Sequence, residues 1–567
     1  MTTIFLNRRV RTFRDDGAAV DALVVCDGRV VASGDAPAMR SLAGAAAEVV
    51  ELRGAALLPG LIDTHPHLMH FGVLAFPLVD LADAMSHDDI VARIATRAAS
   101  TPAGEWIMTT PVGEPHYFLR RSYRDLAEGT LPDRAVLDRA TTRHPVMIQA
   151  WAPVIPNVCA LNSAALARLG ITRQTPDQVE HVWIEKDRGG EPIGILRGSV
   201  TNYYTGDAFM NGLLRQLPLL QPTAIVPGTI NAMARYNALG VTTVYEGHAM
   251  EVPLIETYRM LRDQGALSVR VLAAPEVENY SLPWDGPLSL DEFAARLEQA
   301  RAMVDVRDDL FRVSGVTLSR GGPCWPGFLL MREPYRGPYG EPTTGVSFVS
   351  AEKAALAMDF CARHDLRLNV IVAGTGEHAE YLTQLEAVAA QRDIRARHWI
   401  LQHAFFVEPS AARRYAALGM DVTTSMSFSW GKGDLFLERI GTHVLEHLIP
   451  LRRLLDAGMT VACGSDWGPK NIFEHIQLAL THRFAVSGRS NLGPAQRVTR
   501  TEALAMWMRD AARVLQWDGI GTLGPGDHAD LVIVDRDPLE CALDDLPGTR
   551  VLRTVLGGRT VYDAGAL

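Results

Sequence analysis

Cysteine is scarce in this 567-residue chain. The six residues stand singly at positions 26, 159, 324, 361, 463 and 541, with no CxxC pair, which excludes a disulfide scaffold and a zinc-ribbon site. No apolar run approaches the ~20 residues that cross a bilayer, and the opening MTTIFLNRRVRTF lacks the basic start and apolar core of a secretory leader. The expected setting is therefore cytoplasmic, with no membrane partner. Clustered Lys and Arg are also missing: 55 basic residues against 65 acidic give a net charge of -10, so no nucleic acid is expected to bind. With 47% hydrophobic and 21% charged residues, the composition is that of a folded globular protein and excludes disorder.

What is present is two kinds of pattern. Near the start, residues 22–26 and 29–32 are short β-type runs joined by Asp27-Gly28, a dipeptide suited to a tight hairpin. Residues 530–534, 551–556 and 560–562 repeat the pattern at the other end, so both termini are expected to build one small sheet domain. The middle has a βα rhythm. Helical stretches at 231–239, 409–418 and 451–457 stop at Gly240, Gly419 and Gly458, and each Gly opens an apolar run: 241–245, 420–424 and 459–463. A capping box, Ser289 with Glu292, opens a helix whose Phe293, Leu297, Ala300 and Val304 share one face. The fold class this implies is α/β, a parallel barrel. We place residues 1–57 and 518–567 in the small domain and 58–517 in the barrel, interrupted by insertions at about 71–222 and 275–344. The second insertion carries Trp284, Trp325, Phe328, Tyr335 and Tyr339.

Chemistry-bearing residues sit at the ends of apolar runs. LLPGLIDTHPH places His65 and His67 two apart, a spacing that in a strand sends both imidazoles to one face. WILQH ends at His403 and VACGSD at Asp466. In a parallel barrel all strand C-termini meet on one rim, so these four side chains are expected to converge. Three imidazoles and a carboxylate are the ligand set of a hydrolytic zinc-type site.

PGLIDTHPHL, WILQH and ACGSDWG resemble the signature strands of the amidohydrolase superfamily, and more closely its YtcJ-like branch, which includes N-substituted formamide deformylases. The likeness extends over nearly the whole chain through NSAAL at 162–166, EPIGILR at 191–197, GVTTV at 240–244 and GTLGPGDHADLV at 521–532. It implies a distorted (β/α)8 barrel, a composite β-sandwich from both termini, metal-dependent hydrolysis and a homodimer. The chain departs from the branch where a lysine able to bridge two metals gives way to Thr317, where a His and a Gly-Asp pair give way to Ile371 and Thr375, and where Asp-Gly-His reads Gln149-Ala150-Trp151. One divalent ion is thus expected, zinc first, with iron, manganese or nickel as alternatives. Its ligands are expected to be His65, His67 and Asp466, with His403 as ligand or neighbour and Glu246 filling the missing place; His248 is the weaker substitute.

The expected reaction is attack of activated water on the carbonyl of a small, largely apolar amide, carbamate or similar C–N compound. Asp466 moves the proton to the departing amine and His403 orients the water or polarises the substrate oxygen. Two rival readings stand beside it. One is a decarboxylase or C–C lyase, for which Arg320 is the candidate carboxylate anchor; the other is a barrel that only binds a ligand.

Overall fold

The computed structural model describes residues 1–566 apart from 16, 115–118, 152–153, 322–323, 326 and 492–496. The βα rhythm closes into a ring of parallel strands: β1 (Leu61–Asp63), β2 (Val241–Glu246), β3 (Arg270–Ala273), β4 in two pieces (Phe311–Val313 and Val316–Ser319), β5 (Leu368–Val372), β6 (Ile400–His403), β7 (Asp421–Thr424) and β8 (Val461–Cys463). Hydrogen bonding divides the ring into a four-stranded sheet, β1 to the first piece of β4, and a five-stranded sheet, the second piece of β4 to β8.

Both seams have local causes. Within β4 the chain turns at Gly315, at φ +70°, where a Cβ would lie 2.0 Å from the Arg367 carbonyl oxygen, so no side chain fits. Between β8 and β1 the backbone of Met506 and Trp507 intrudes, taking the amides of Cys463 and Ile62. Just beyond, the strand tips rejoin: the Asp466 amide donates to the His65 carbonyl at 2.8 Å. Ile62, Tyr245, Leu272, Ile400 and Ala462 pack with Ala512, Val514 and Trp517 of the chain around helix Arg509–Leu515, filling the lower barrel and leaving polar residues at its C-terminal rim.

The helix stops follow the sequence. Helices Pro222–Ala238, Pro409–Ala417 and Leu451–Asp456 are followed by glycines at φ +86°, +71° and +91°. The first of these starts a turn or more earlier than its apolar pattern, because Pro222 supplies a ready-made first turn and Pro227 is tolerated inside. The Ser289–Glu292 box is formed and helix Leu290–Met303 buries Phe293, Leu297 and Ala300, while Val304 lies at the C-cap in extended conformation.

Strands from both termini interleave in one eight-stranded sheet, with Leu531–Val534 antiparallel to Ala56–Pro59 on one side and Val551–Leu556 on the other. The hairpin between Ala19–Cys26 and Arg29–Gly34 turns at Asp27 and Gly28, both at positive φ. A buried bidentate pair, Arg270 of β3 with Asp530 at 2.6 and 2.9 Å, ties this sheet to the barrel. Between helices Leu68–Ala75 and Pro222–Ala238 lies a separate six-stranded sheet running from Ile107–Thr109 to Pro192–Gly198. Its exit delivers Tyr203 and Tyr204 to the rim. Among the described residues no helix is long and apolar enough to cross a membrane.

Candidate metal centre

His65, His403 and Asp466 are buried at the rim, each offering one ligand atom within 4.8 Å of the others. His67 joins them: its Nε2 lies 3.0 Å from His65 Nε2 and 3.6 Å from Asp466 Oδ1. Asp466 Oδ2 is 3.6 Å from both His65 Nε2 and His403 Nδ1. The four side chains read from the strand ends are thus brought together, but by a different route for the histidine pair. Strand β1 ends at Asp63, so period-two alternation does not aim the imidazoles. His67 instead takes a left-handed backbone, φ +48°, as the residue that opens helix Leu68–Ala75. His403 and Asp466 are also left-handed, at +70° and +50°. Such conformations cost about 1–3 kcal/mol each in a non-glycine residue and gather at functional sites. Gly464 lets the two strand tips meet, since a Cβ there would fall 2.5 Å from the His65 backbone nitrogen.

Burial, and then the neighbouring imidazoles, hold His65 and His67 well below the usual histidine range; burial and His248 do the same for His403. All three are neutral near pH 7, the form that donates a lone pair. Burial pushes Asp466 up to about 6 against the pull of Lys470.

Glu246 is not in this cluster. Its Oε1 accepts from the Met69 amide at 3.0 Å and the Tyr258 hydroxyl at 2.7 Å, on the helix side of β2, because Tyr245 takes the inward position and the next residue must face out. Burial raises its carboxyl to about 7. His248 is beside the cluster, with ring centroids 5.5 and 5.3 Å from His65 and His67, but its nitrogens face Glu276 and Tyr204. The wall opposite the ligands is neutral. Thr317 Oγ1 donates to the Gly247 carbonyl at 2.5 Å, Asn369 Nδ2 donates to the same oxygen at 2.6 Å and to Gln402 Oε1, and the Gln402 amide meets the His65 ring. Ile371 lines the cleft.

Two supports escaped sequence reading. Asp63 accepts from the amides of His65 and Ser465, each at 3.0 Å, and from Ser465 Oγ at 2.6 Å, stitching β1 to β8. Lys470 Nζ donates to the carbonyls of Pro66 and Asp466 and to Ser465 Oγ, so one ammonium grips both ligand loops. Asp63 lies inside a motif already singled out; Lys470 carried no local signal.

The cleft above is narrow and mostly aromatic, lined by Tyr204, Tyr280, Trp325, Phe428 and Trp467 with His67, His403 and Asp466. Trp325 therefore faces the site, whereas Phe328 and Tyr335 pack into the core and Trp151 stands behind Phe71. Lys432 is buried with its Nζ about 5 Å from the Trp325 and Phe428 ring centroids, and burial holds it well below its ordinary pKa. Arg320 turns away to pair with Glu380 of helix Thr375–Ala389.

The donor atoms themselves test whether a cation fits. His403 Nδ1 and Asp466 Oδ2 are buried, face each other and have no hydrogen-bond partner among the described residues. An imidazole lone pair and a carboxylate oxygen left this way are what a divalent ion satisfies. A parallel barrel carrying such a set at its C-terminal rim has the architecture of metal-assisted hydrolases. The chain belongs to the amidohydrolase family, whose model matches residues 48–562. It is 26% identical to the N-substituted formamide deformylase of Arthrobacter pascens, over 99% of this chain and 98% of that one. It is 24% identical to the putative amidohydrolase YtcJ of Bacillus subtilis, over 99% and 100%. The fold is shared with an uncharacterized metal-dependent hydrolase from Pyrococcus horikoshii, at a TM-score of 0.71 and 20% identity, covering 96% and 99% of the two chains.

Proposed function

We propose that the protein hydrolyses the C–N bond of a small, neutral, largely apolar amide, carbamate or related compound with one divalent metal ion, zinc first. His65, His67 and Asp466 would hold the ion, with His403 at its edge. The observation that carries this reading is the contrast at the rim: the unpartnered His403 Nδ1 and Asp466 Oδ2 converge with His65 and His67, while Thr317 and Ile371, where the family resemblance would put a second metal's lysine and histidine, bring neither a charge nor an imidazole. A bound divalent ion would supply Lewis acidity, polarising a substrate oxygen and acidifying water.

The chain's own residues account for the rest. Asp466, raised by burial to about 6, is poised to accept a proton at Oδ2 from the attacking water and to return it to the departing nitrogen. His403, kept neutral by burial, orients that water or the substrate oxygen. The aromatic walls exclude bulk water and favour an apolar substituent. Full hydrogen bonding of Lys470 and Asp63 keeps the two ligand loops in register. Because Arg320 lies against Glu380 and is not among the residues lining the cleft, the lyase reading lacks support from its carboxylate anchor.

Metal content and one variant test the reading. Purified protein is expected to carry about one equivalent of divalent metal, and Asp466→Asn is expected to fold normally while amide turnover falls about a thousandfold. Two tightly bound equivalents, or turnover unaffected in the variant, would overturn it.

A further inference from the structure

Tyr204 leaves the six-stranded insertion with a left-handed backbone, φ +56°, and its amide is held by the Ser281 carbonyl at 2.8 Å. For a bulky aromatic residue that conformation is a genuine outlier. It carries the phenol into the cleft beside His67, His403 and Asp466. There the Tyr204 ring stacks on the His248 imidazole, with planes 14° apart, and its hydroxyl meets His248 Nε2. On the other side of that imidazole, His248 Nδ1 lies 3.1 Å from Glu276 Oε2, and the same oxygen accepts the Ala249 amide at 2.7 Å. Glu276 and His248 are both more than nine-tenths buried. The neighbouring Tyr203 hydroxyl is occupied with His70 Nδ1 at 2.8 Å.

Hydrogen-bond chemistry gives this chain a direction. His248 Nδ1 makes no well-aligned hydrogen bond among the described residues, but it lies 3.1 Å from a carboxylate oxygen that can only accept, and a ring lone pair aimed at that negative charge would be repelled, so Nδ1 is the nitrogen that carries hydrogen. The opposite nitrogen, Nε2, then presents its lone pair and takes the Tyr204 proton. With that proton committed, the phenolic oxygen has only lone pairs to offer to the cleft. A buried acceptor in a narrow pocket rejects ligands that cannot satisfy it.

We propose that Tyr204 is a specificity-determining residue: held by His248 and Glu276 as a fixed acceptor, it selects substrates that present an N–H at the scissile nitrogen and rejects their N,N-disubstituted counterparts. The inference rests on the C–N hydrolase reading and narrows its substrate class. Tyr204 transfers no proton in this scheme. It accepts one hydrogen bond from the substrate nitrogen, and the bonds that break and form in hydrolysis are untouched by it.

The test compares N-cyclohexylformamide with N-cyclohexyl-N-methylformamide on metal-loaded protein, both as kcat/KM and as Kd by calorimetry. The N–H compound is expected to be favoured about a hundredfold in the wild type. Tyr204→Phe is expected to level the pair. Glu276→Gln, which keeps the phenol but releases the direction of its proton, is expected to shrink the preference at least fivefold. A tyrosine that merely packs would lower both rates without changing their ratio. Equal treatment of the two compounds by the wild type overturns the proposal, as does an undiminished ratio in Tyr204→Phe. A binding preference that persists with no turnover of either compound would instead refute C–N hydrolysis and leave the assignment of Tyr204 standing.

Discussion

The two walls of the rim differ in kind. The wall built by β8 and β1 carries His65, His67 and Asp466, the last two on left-handed backbone, and is braced by Asp63 and Lys470, which meet at the Ser465 hydroxyl. The wall built by β4, β5 and β6 carries, apart from His403 at the tip of β6, Thr317, Asn369 and Gln402, uncharged and hydrogen-bonded to one another and to Gly247. One barrel thus holds a cation cradle and its absence side by side. The lesson is that the amide wall is not an empty site: its polar atoms are largely satisfied among themselves, and its last amide reaches the His65 ring. Charge is concentrated where a cation would use it, and the rest of the ring serves as support.

Removing the brace should break this contrast most severely. Lys470→Met would leave Asp63 buried beside an apolar chain and free three hydrogen bonds between the ligand loops. A hydrogen bond from a charged group contributes about 1.5–3 kcal/mol, so losing these three costs several kcal/mol. Denaturant unfolding should register that loss, and chelator competition should show metal held at least tenfold more weakly, with all four ligand residues unchanged. Unaltered metal retention would mean the two walls are equally supported.

Thr317→Lys probes the other wall with a smaller effect. The new side chain must displace the bond to the Gly247 carbonyl in a close-packed site, costing about 1–3 kcal/mol. Metal content should stay near one equivalent, because Ile371, which lines the same cleft, still offers no donor atom. Two equivalents by elemental analysis would show that a single residue separates the walls.

The smallest effect is expected at Glu246, outside both walls. Its carboxyl, raised by burial from 4.5 to about 7, is protonated in folded and unfolded chains alike below pH 4.5, so its contribution is fully present there. As pH rises from 4.5 to about 7 the folded chain holds a proton the unfolded chain has released, and that contribution is progressively lost. Glu246→Gln should therefore gain on the wild type between pH 5 and pH 8, by about 3 kcal/mol at most, while metal content stays the same. A fall in metal content would return Glu246 to the ligand set.

How much of this was legible follows from where physics acts locally. Apolar runs closed by a polar tip gave the barrel strands, and His65, His67, His403 and Asp466 are such tips. Period-two alternation, applied strictly to β2, would also have turned Glu246 outward once Tyr245 was placed in the interior. The convergence of His67 was expected for the wrong reason, since a left-handed residue beyond the strand aims it. Lys470, Gln402 and Tyr204 were silent because their meaning is entirely long-range: each touches partners brought near only by ring closure, and no spacing in the chain announces them.

The positive φ angles of His67, His403 and Asp466 also constrain which replacements are informative there. Asparagine tolerates such a backbone nearly as well as histidine or aspartate does, whereas alanine, and still more valine, must pay a conformational penalty unrelated to chemistry. Alanine scanning of this rim would mix a folding defect with a lost donor atom. Substitution by asparagine separates the two, and the chain's choice of residue at these corners satisfies steric and ligating demands at once.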